Sequence, residues 1–491
     1  MTETRSGGAA TGTAAAGRPA AALKIPATAL PPEEMARRQA AARRAWARAG
    51  LVYTLLLVFS LFFMGPFLFA TISSLKDDPV EWPPRLDPPQ LKPANWAAAW
   101  RLGKAGGGSG WFGAFGPGAE VNFEVTYFVP DGVEPTPPIV RVPRRVPGAG
   151  IGAVRPGAFA ADYAVVSEPV ETGRRPAVSS DETGVLVTYA FTIRHNGEDV
   201  TADRLPLDLE VPFRQTFHSA TLAPNRIERL GRVQSWNNIT PGVIPYVFYN
   251  YARVFTENYS RTTGKNLFLT WIGNSFFIAG VKVLTHVVIA SMSGYALARL
   301  RFPGRNALFM LILFSMMIPG QVTFISNYLV LRDGIFGLSK LWGQETLLNS
   351  FTGLILSGLC GGSAVFIMKQ FFESLPRELE ESARIDGAGP ATIFSRIVLP
   401  LARPALGAVA ILTFQGVWNE FFWPLIVLTT PQDKFTLTVG LLNLRQAYGA
   451  VALDWGPLLA GAFISAVPVI IVFLVFQRYF VEGISFTGIK G

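Results

Sequence analysis

The sequence predicts an α-helical polytopic membrane protein of six transmembrane helices with an inserted extracytoplasmic β domain. Three observations carry this. Half of the 491 residues are hydrophobic and only 16% are charged, a balance too apolar for an ordinary soluble chain. Six apolar segments are each long enough to cross a bilayer, which takes about 20 residues. Between the first two of them, 76–266 is not membrane-like and alternates in the manner of short strands.

Residues 1–49 are expected to be a disordered cytoplasmic tail. Positions 1–30 are rich in Ala, Gly and Thr and lack the apolar core of a cleavable signal peptide. Arg37, Arg38, Arg43, Arg44 and Arg48 then precede the first apolar run and anchor it on the cytoplasmic side. The spans fall near 50–73 (within a first helix over 50–75), 267–298, 307–330, 351–373, 404–428 and 456–478. The second is longer than a membrane requires, so an interfacial start at Leu267 fits it. Pro66, Pro319, Pro424 and Pro468 interrupt spans, and packing kinks are the plain reading of them.

Basic residues set the orientation. Arg299, Arg301 and Arg305 mark one cytoplasmic loop, and Arg377, Arg384, Arg396 and Arg403 mark a second over 374–403. The C-terminal tail carries Arg478 and Lys490, so both termini are expected inside. The same bias accounts for the net charge of +9, which removes nucleic acid as a partner and leaves membrane lipid. Cys360 is the only cysteine, so neither an intrachain disulfide nor a cysteine metal site can form. Its apolar surroundings suit a small buried hydrophobe.

In the outside segment, 76–100 is Pro-rich and then aromatic and helical, and the glycine-rich KAGGGSGWFGAFGPG follows as a linker. Strands are expected at Val121–Val129, Tyr163–Val166, Val185–Arg194 and Leu205–Phe213, with a turn in HNGEDV. Together 119–235 reads as a small antiparallel β domain, for which a sandwich would fit. Its histidines, His195 and His218, are isolated and have no cysteine partners.

The second cytoplasmic loop reads LPRELEESARIDGAGPATIFSRIVLPLARP. Acids early and Arg384 late favour a first short helix. Gly387 supplies a left-handed stop, Pro390 opens a second helix, and Leu399-Pro400 ends it. Ser382, Ala383 and Gly387 leave a small-residue surface that suits docking into a groove, or equally a solvated connector.

This loop resembles the signature of permease subunits of binding-protein-dependent ABC importers: Glu-Ala-Ala, three residues, Gly, nine residues, Ile-x-Leu-Pro. Here Glu381-Ser382-Ala383, Gly387 and Ile397-Val398-Leu399-Pro400 stand at that spacing, with Ser382 in place of the first Ala. The resemblance implies that the first helix of the loop couples to an ATPase subunit. Glu381 would then pair with a basic residue there, Ala383 would allow close approach, and Gly387 would set the bend. Asn274-Ser275, ALARLRFPGR, MMIPGQVTFISNYLVL, GVWNEFFWPLIVL and the tail QRYFVEGISFTGIKG resemble the sugar-importer branch, in particular the maltose-type permease subunit that ends just after its last span. The likeness covers 50–100 and about 245–491, with WAAAW and YNYARVF as the two sides of a loop split by the β domain.

No phosphate-binding loop is present, since TTGKN at 262–266 lacks both the first Gly and the hydroxyl residue. ATP and magnesium therefore belong on a partner ATPase dimer, and this chain is expected to bind no cofactor and to carry no catalytic residue. A second permease subunit and an extracytoplasmic sugar-binding protein complete the implied partners. Trp418, Asn419, Glu420 and Trp423 offer aromatic faces and polar groups of the kind sugars use, and an acid inside a span such as Glu420 is a functional candidate. Polyols, glycerol phosphate and peptides are alternative cargoes. An anionic one would call on Lys282 or His286. A membrane receptor working through its β domain and a proton-driven transporter are the readings from other classes. Docking a binding protein and bracing a partner permease are both open roles for the β domain.

Overall fold

The computed structural model describes residues 32–76, 87–105, 108–113, 118–142, 164–179, 182–195, 205–224, 226–227, 233–239, 241–260, 262–446 and 455–485. The tail 1–30, the HNGEDV turn beyond His195 and Lys490 lie outside them. The chain divides into two compact units, Met1–Phe67 and Leu68–Gly491.

Helix α1 (Pro32–Leu75), which forms the described part of the first unit as far as Phe67, begins at Pro32, inside the stretch expected to be a tail. The reason is local. PEEMARRQAAARRAWARAG is rich in Ala, Arg and Glu, strong helix formers with acids at the start. From Leu51 to Met64 its large apolar side chains point outward, as a lipid-facing span requires.

The second unit contains a β sandwich and the remaining helices. Helix α2 (Pro93–Ala105) leads into β1 (Glu120–Pro130), β2 (Ile139–Arg141), β3 (Ala164–Val166), β4 (Val170–Ser179), β5 (Glu182–His195), β6 (Leu205–Glu210), β7 (Thr216–Ala220), β8 (Arg226–Ile227) and β9 (Val233–Ile239). One sheet has the order β3-β5-β1-β7 with β4 also on β5, and the other runs β2-β6-β9-β8. Every pairing is antiparallel.

Alternation along β1 buries Val121, Phe123, Val125 and Tyr127 against Leu207, Leu209 and Trp236 of the second sheet. Phe123 meets the Trp236 ring edge-on at 5.4 Å. Each such fully buried side chain contributes about 1.5–3 kcal/mol. The expected strands correspond to β1, β3, β5 and β6. The edge strand β4 escaped notice because VETGRRPAVS interrupts its apolar residues with Gly and Pro.

Beyond the sandwich come α3 (Val243–Val247), α4 (Tyr249–Thr256), α5 (Leu267–Arg299), α6 (Arg305–Met317), α7 (Gly320–Arg332), α8 (Phe351–Leu356), α9 (Gly362–Ser374), α10 (Glu378–Ile385), α11 (Pro390–Ile393), α12 (Leu399–Leu401), α13 (Arg403–Asn419), α14 (Phe422–Val427), α15 (Leu437–Leu444) and α16 (Gly456–Ser485). Among the described residues, three helices are long and apolar enough to cross a membrane alone: Trp46–Leu75, Leu267–Arg299 and Gly456–Gln477.

The other expected spans are broken rather than continuous. The segment 307–330 bends by 101° between α6 and α7, where Pro319 caps α7. That proline does more than kink a helix, whereas Pro66 and Pro468 sit inside continuous ones. The segment 351–373 is interrupted at 357–361 (SGLCG), where the glycines favour neither helix. Cys360 lies in that break, only half-buried. The segment 404–428 breaks at Glu420-Phe421 between α13 and α14. Hydropathy reports apolar length and is blind to these interruptions.

Helix α5 is the backbone of the helical part. Asn266 caps it, its side chain accepting from the Leu269 amide at 2.9 Å. At about 1.5 Å per residue its 33 residues span about 50 Å. Gly294 lets α9 lie directly against it: a Cβ there would stand 2.7 Å from the Met368 Cβ.

Candidate functional site

Two places in the second unit bring chemistry-bearing residues together, and α5 serves both. The first is a cleft of about 80 Å³ where two of the helix breaks meet α5. Ser275, Ile278 and Lys282 line one wall from one face of α5, at i, i+3 and i+7. Glu420 and Trp423 line another from the break between α13 and α14, and Thr436 closes a third side.

Hydrogen bonds fix these groups. Glu420 Oε1 accepts from the Trp423 amide at 3.2 Å, so the carboxylate caps α14. Trp423 Nε1 donates to Ser357 Oγ at 2.7 Å, tying α14 to the end of α8. Ser275 Oγ accepts from the Leu437 amide at 2.8 Å. Lys282 reaches the SGLCG break, where a Cβ on Gly358 would lie 3.2 Å from Nζ. One turn on, His286 Nδ1 donates to the Lys282 carbonyl at 2.8 Å.

Of the four residues suggested by sequence, the cleft brings together two. Trp418 is buried elsewhere, its ring stacked on Phe414 at 5.5 Å and its Nε1 donating to Ser465 O at 2.9 Å. Asn419 ends α13 and is exposed outside the cleft. Both departures have one cause: the helix stops at Asn419, so the next residues turn to a different direction. Ser275 and Thr436 were not recognisable as cleft residues, since only the folded chain sets them opposite Glu420. Beside Ser275, Asn274 Nδ2 donates to Asp433 O and Phe435 O at 2.7 and 2.9 Å.

Asp433 closes this region. Its carboxylate accepts from Ser260 Oγ at 2.9 Å, Thr262 Oγ1 at 3.1 Å and Thr263 Oγ1 at 2.7 Å. Partial burial would raise its pKa, but the three hydroxyl donors outweigh it and hold the carboxyl below its ordinary value. A depressed carboxylate contributes stability above its unfolded pKa that is lost as pH falls through the folded value. Acidification below about pH 4 is therefore expected to loosen 260–266 from 430–436. Hydrogen exchange of these segments should show the opening, and Asp433→Asn should flatten its pH dependence.

The second place is the 374–403 loop. Helix α10 ends in a Schellman closure: the Gly387 amide bonds Arg384 O at 3.0 Å and the Ala388 amide bonds Ala383 O at 2.9 Å. Gly387 takes φ +83° there, the left-handed stop its position suggested. Pro390 occupies the first turn of α11. The second helix then outruns its expected end at Leu399-Pro400. A π-turn over Phe394–Val398 carries the chain on into α12, moving the bond of the Leu399 amide to Phe394 O and absorbing the missing Pro400 donor. The chain turns by 75° only after Leu401.

The signature residues divide by exposure. Glu381 and Ser382 face outward, with Ile385 beside them 87% exposed. Ala383 instead faces inward, 8% exposed, in a cluster with Tyr295, Met368, Phe372, Ile393 and Val398. Its small side chain thus permits close approach to the chain's own helices. Ile397 and Leu399 are half-buried and Pro400 is exposed. Sequence reasoning missed Glu380. Its carboxylate, 7% exposed, lies 3.0 Å from Arg299 Nε, itself 4% exposed at the end of α5. The pair meets as charges, without hydrogen-bond alignment. Arg299 also donates to Leu375 O at 2.6 Å. The only sequence signal was a doubled acid opposite a helix-ending arginine.

Among the described residues no group of His, Cys, Asp and Glu could hold a metal ion. His195 is buried in the sandwich and His218 is exposed.

Broken apolar helices around a polar cleft, with a surface helix ion-paired to the same long span, fit a membrane permease component. Residues 287–485 match the family model described as binding-protein-dependent transport system inner membrane component. The chain is 40% identical over 242 residues to the arabinooligosaccharides transport system permease protein AraQ of Halalkalibacterium halodurans, covering 49% of this chain and 79% of that one. It is 31% identical over 274 residues to the sn-glycerol-3-phosphate transport system permease protein UgpE of Yersinia pestis, covering 56% and 89%. A solved bacterial ABC transporter involved in import of the acidic polysaccharide alginate is similar at 30% identity and a TM-score of 0.39, covering 48% of this chain and 79% of that one. The chain belongs to the family of inner membrane components of binding-protein-dependent transport systems.

Proposed function

We propose that this chain is one permease subunit of an ATP-driven importer that translocates a sugar or oligosaccharide handed over by a substrate-binding protein. The observation that carries the proposal is the build of the 374–403 loop. It presents Glu381, Ser382 and Ile385 outward for a partner, while Glu380 forms an ion pair inward with Arg299 at the end of the span that lines the cleft. Closure of an ATPase dimer against α10 would pass through that ion pair to α5. From Arg299 to Lys282 the rod is about 25 Å long. The cleft would then open alternately to either side.

In this reading the six apolar segments are six spans, three of them broken, with both termini cytoplasmic and the β sandwich an extracytoplasmic insertion. ATP and magnesium sit on the ATPase subunits, and a second permease subunit completes the pathway. The cleft suits a sugar. Trp423 offers an aromatic face, while Glu420, Ser275 and Thr436 offer hydroxyl partners. AraQ is named for arabinooligosaccharides, which supports the class of cargo. Lys282 favours an anionic cargo by itself, but Glu420 shares the cleft and offsets its charge.

The test is ATP hydrolysis by the purified complex in lipid, supplied with candidate binding proteins and sugars. Binding protein plus sugar should stimulate hydrolysis several-fold. Glu381→Lys and Gly387→Pro should abolish the stimulation while the complex stays assembled. If no ATPase co-purifies and both variants match wild type, the reading fails.

A further inference from the structure

A second cleft, of about 390 Å³, opens where α5 ends; it shares Arg299, Glu380 and Glu381 with the loop described above, but its Arg301, Arg305 and Arg377 have no use in that pathway. Five arginines converge on it: Arg299, Arg301, Arg305, Arg377 and Arg384. Against them stand Glu380 and Glu381, so the lining carries three more positive than negative charges. Arg299 is neutralised by Glu380 at 3.0 Å, and Arg384 reaches the same carboxylate only at 3.8 Å. Among the described residues Arg301, Arg305 and Arg377 have no carboxylate within ion-pair distance. Arg305 makes a single long bond, 3.4 Å, to Leu300 O.

Gathering like charges around a concavity raises their mutual repulsion, which an anion in the concavity relieves. Guanidinium forks match phosphate oxygens in particular. We infer that this cleft binds a phosphate group, and that the group is the headgroup of an anionic phospholipid.

Its place in the fold favours the lipid. Arg299 closes the 33-residue α5, Arg305 opens α6, and Arg301 lies on the turn between them, so the charges sit at the edge of the apolar zone. Helix α6 buries none of its residues. Leu308 and Leu311 stand exposed within two turns of Arg305, at 46% and 65%. Phosphate on the arginines and acyl chain along α6 is the pairing that an amphiphile of this kind would make. This inference is independent of the transported solute, and its three unpaired arginines are not among the residues assigned to the partner that meets Glu381.

The experiment uses the chain purified with its co-purifying subunits and returned to phosphatidylcholine bilayers, with or without phosphatidylglycerol. Native mass spectrometry reads retained lipid, and thermal unfolding reads the midpoint. Wild type should retain phosphatidylglycerol and unfold at a higher midpoint in its presence. The triple variant Arg301→Gln/Arg305→Gln/Arg377→Gln should lose at least tenfold in retention and show no shift. It must match wild type in phosphatidylcholine alone; if it does not, Arg301→Gln alone, at an exposed turn, replaces it. Inorganic phosphate in the phosphatidylcholine arm should leave the midpoint unchanged. A shift equal to that from phosphatidylglycerol would keep the phosphate site but assign it to a free ion, overturning the lipid. Equal lipid response in wild type and variant overturns the site. So does a variant that keeps the lipid and sheds the ATPase, which would make the cleft a protein dock.

Discussion

Glu380→Gln is expected to depress sugar-stimulated ATP hydrolysis and uptake far more than the same substitution at the exposed Glu381 beside it. Glu380 and Arg299 are both almost fully buried and 3.0 Å apart. Removing one member of such a pair leaves the other charged and unsolvated, at a cost of about 3–5 kcal/mol. At about 1.4 kcal/mol per decade, even the lower figure shifts the seating of α10 on α5 a hundredfold. Sugar-stimulated hydrolysis and uptake in proteoliposomes should fall together by that order. Glu381→Gln, at an exposed position, removes a pair of about 0–1 kcal/mol and should be far milder than Glu380→Gln. The exchange Arg299→Glu with Glu380→Arg restores opposite charges and should recover part of the stimulation. Wild-type stimulation in Glu380→Gln would dismiss the ion pair as the link.

Glu420→Ala is expected to lower uptake by about ten- to a hundredfold. The carboxylate caps α14 through the Trp423 amide and lines the cleft beside Lys282. A hydrogen bond from a sugar hydroxyl to a charged acceptor contributes about 1.5–3 kcal/mol, and loss of the cap adds about 1 kcal/mol to the misplacement of Trp423. Glu420→Gln keeps an oxygen for the cap and should fall between. Trp418→Phe supplies the contrast. Trp418 packs against Phe414 and Phe276 away from the cleft, so uptake should change less than threefold. Uptake assays of the three variants at matched expression decide the matter. A Trp418→Phe loss as large as that of Glu420→Ala would refute the division of these residues.

The 374–403 loop was legible because its signals are contiguous. Helix start, glycine stop and proline restart all fall within one stretch, and each has a local cause. Glu380 was not, because its meaning depends on Arg299 at the end of a distant span. Four strands of the sandwich could be read from alternation, but β4 and β9 could not. The first mixes Gly and Pro with its apolar residues, and in VQSWNNI of β9 only Val233, Trp236 and Ile239 are apolar. The apolar segments were found by their length, while their breaks turn on where Pro319, the SGLCG glycines and Glu420 fall within them. The cleft shows the same limit. Glu420 and Trp423 share one stretch, but Ser275, Lys282 and Thr436 come from two others that folding alone sets opposite.

The sandwich leaves the helical part after α2 and returns before α3, and these two points touch. The Gly242 amide bonds Ala99 O at 3.0 Å, and a Cβ on Gly103 would lie 2.9 Å from the Gly242 nitrogen. A long excursion that begins and ends at one spot behaves toward its host as a short loop does. Doubling a loop costs only about 0.6 kcal/mol in closure entropy, so the host is indifferent to the size of what it carries there. The junction is thus a point at which an excursion of any size can be carried without disturbing the packing of the helices that flank it.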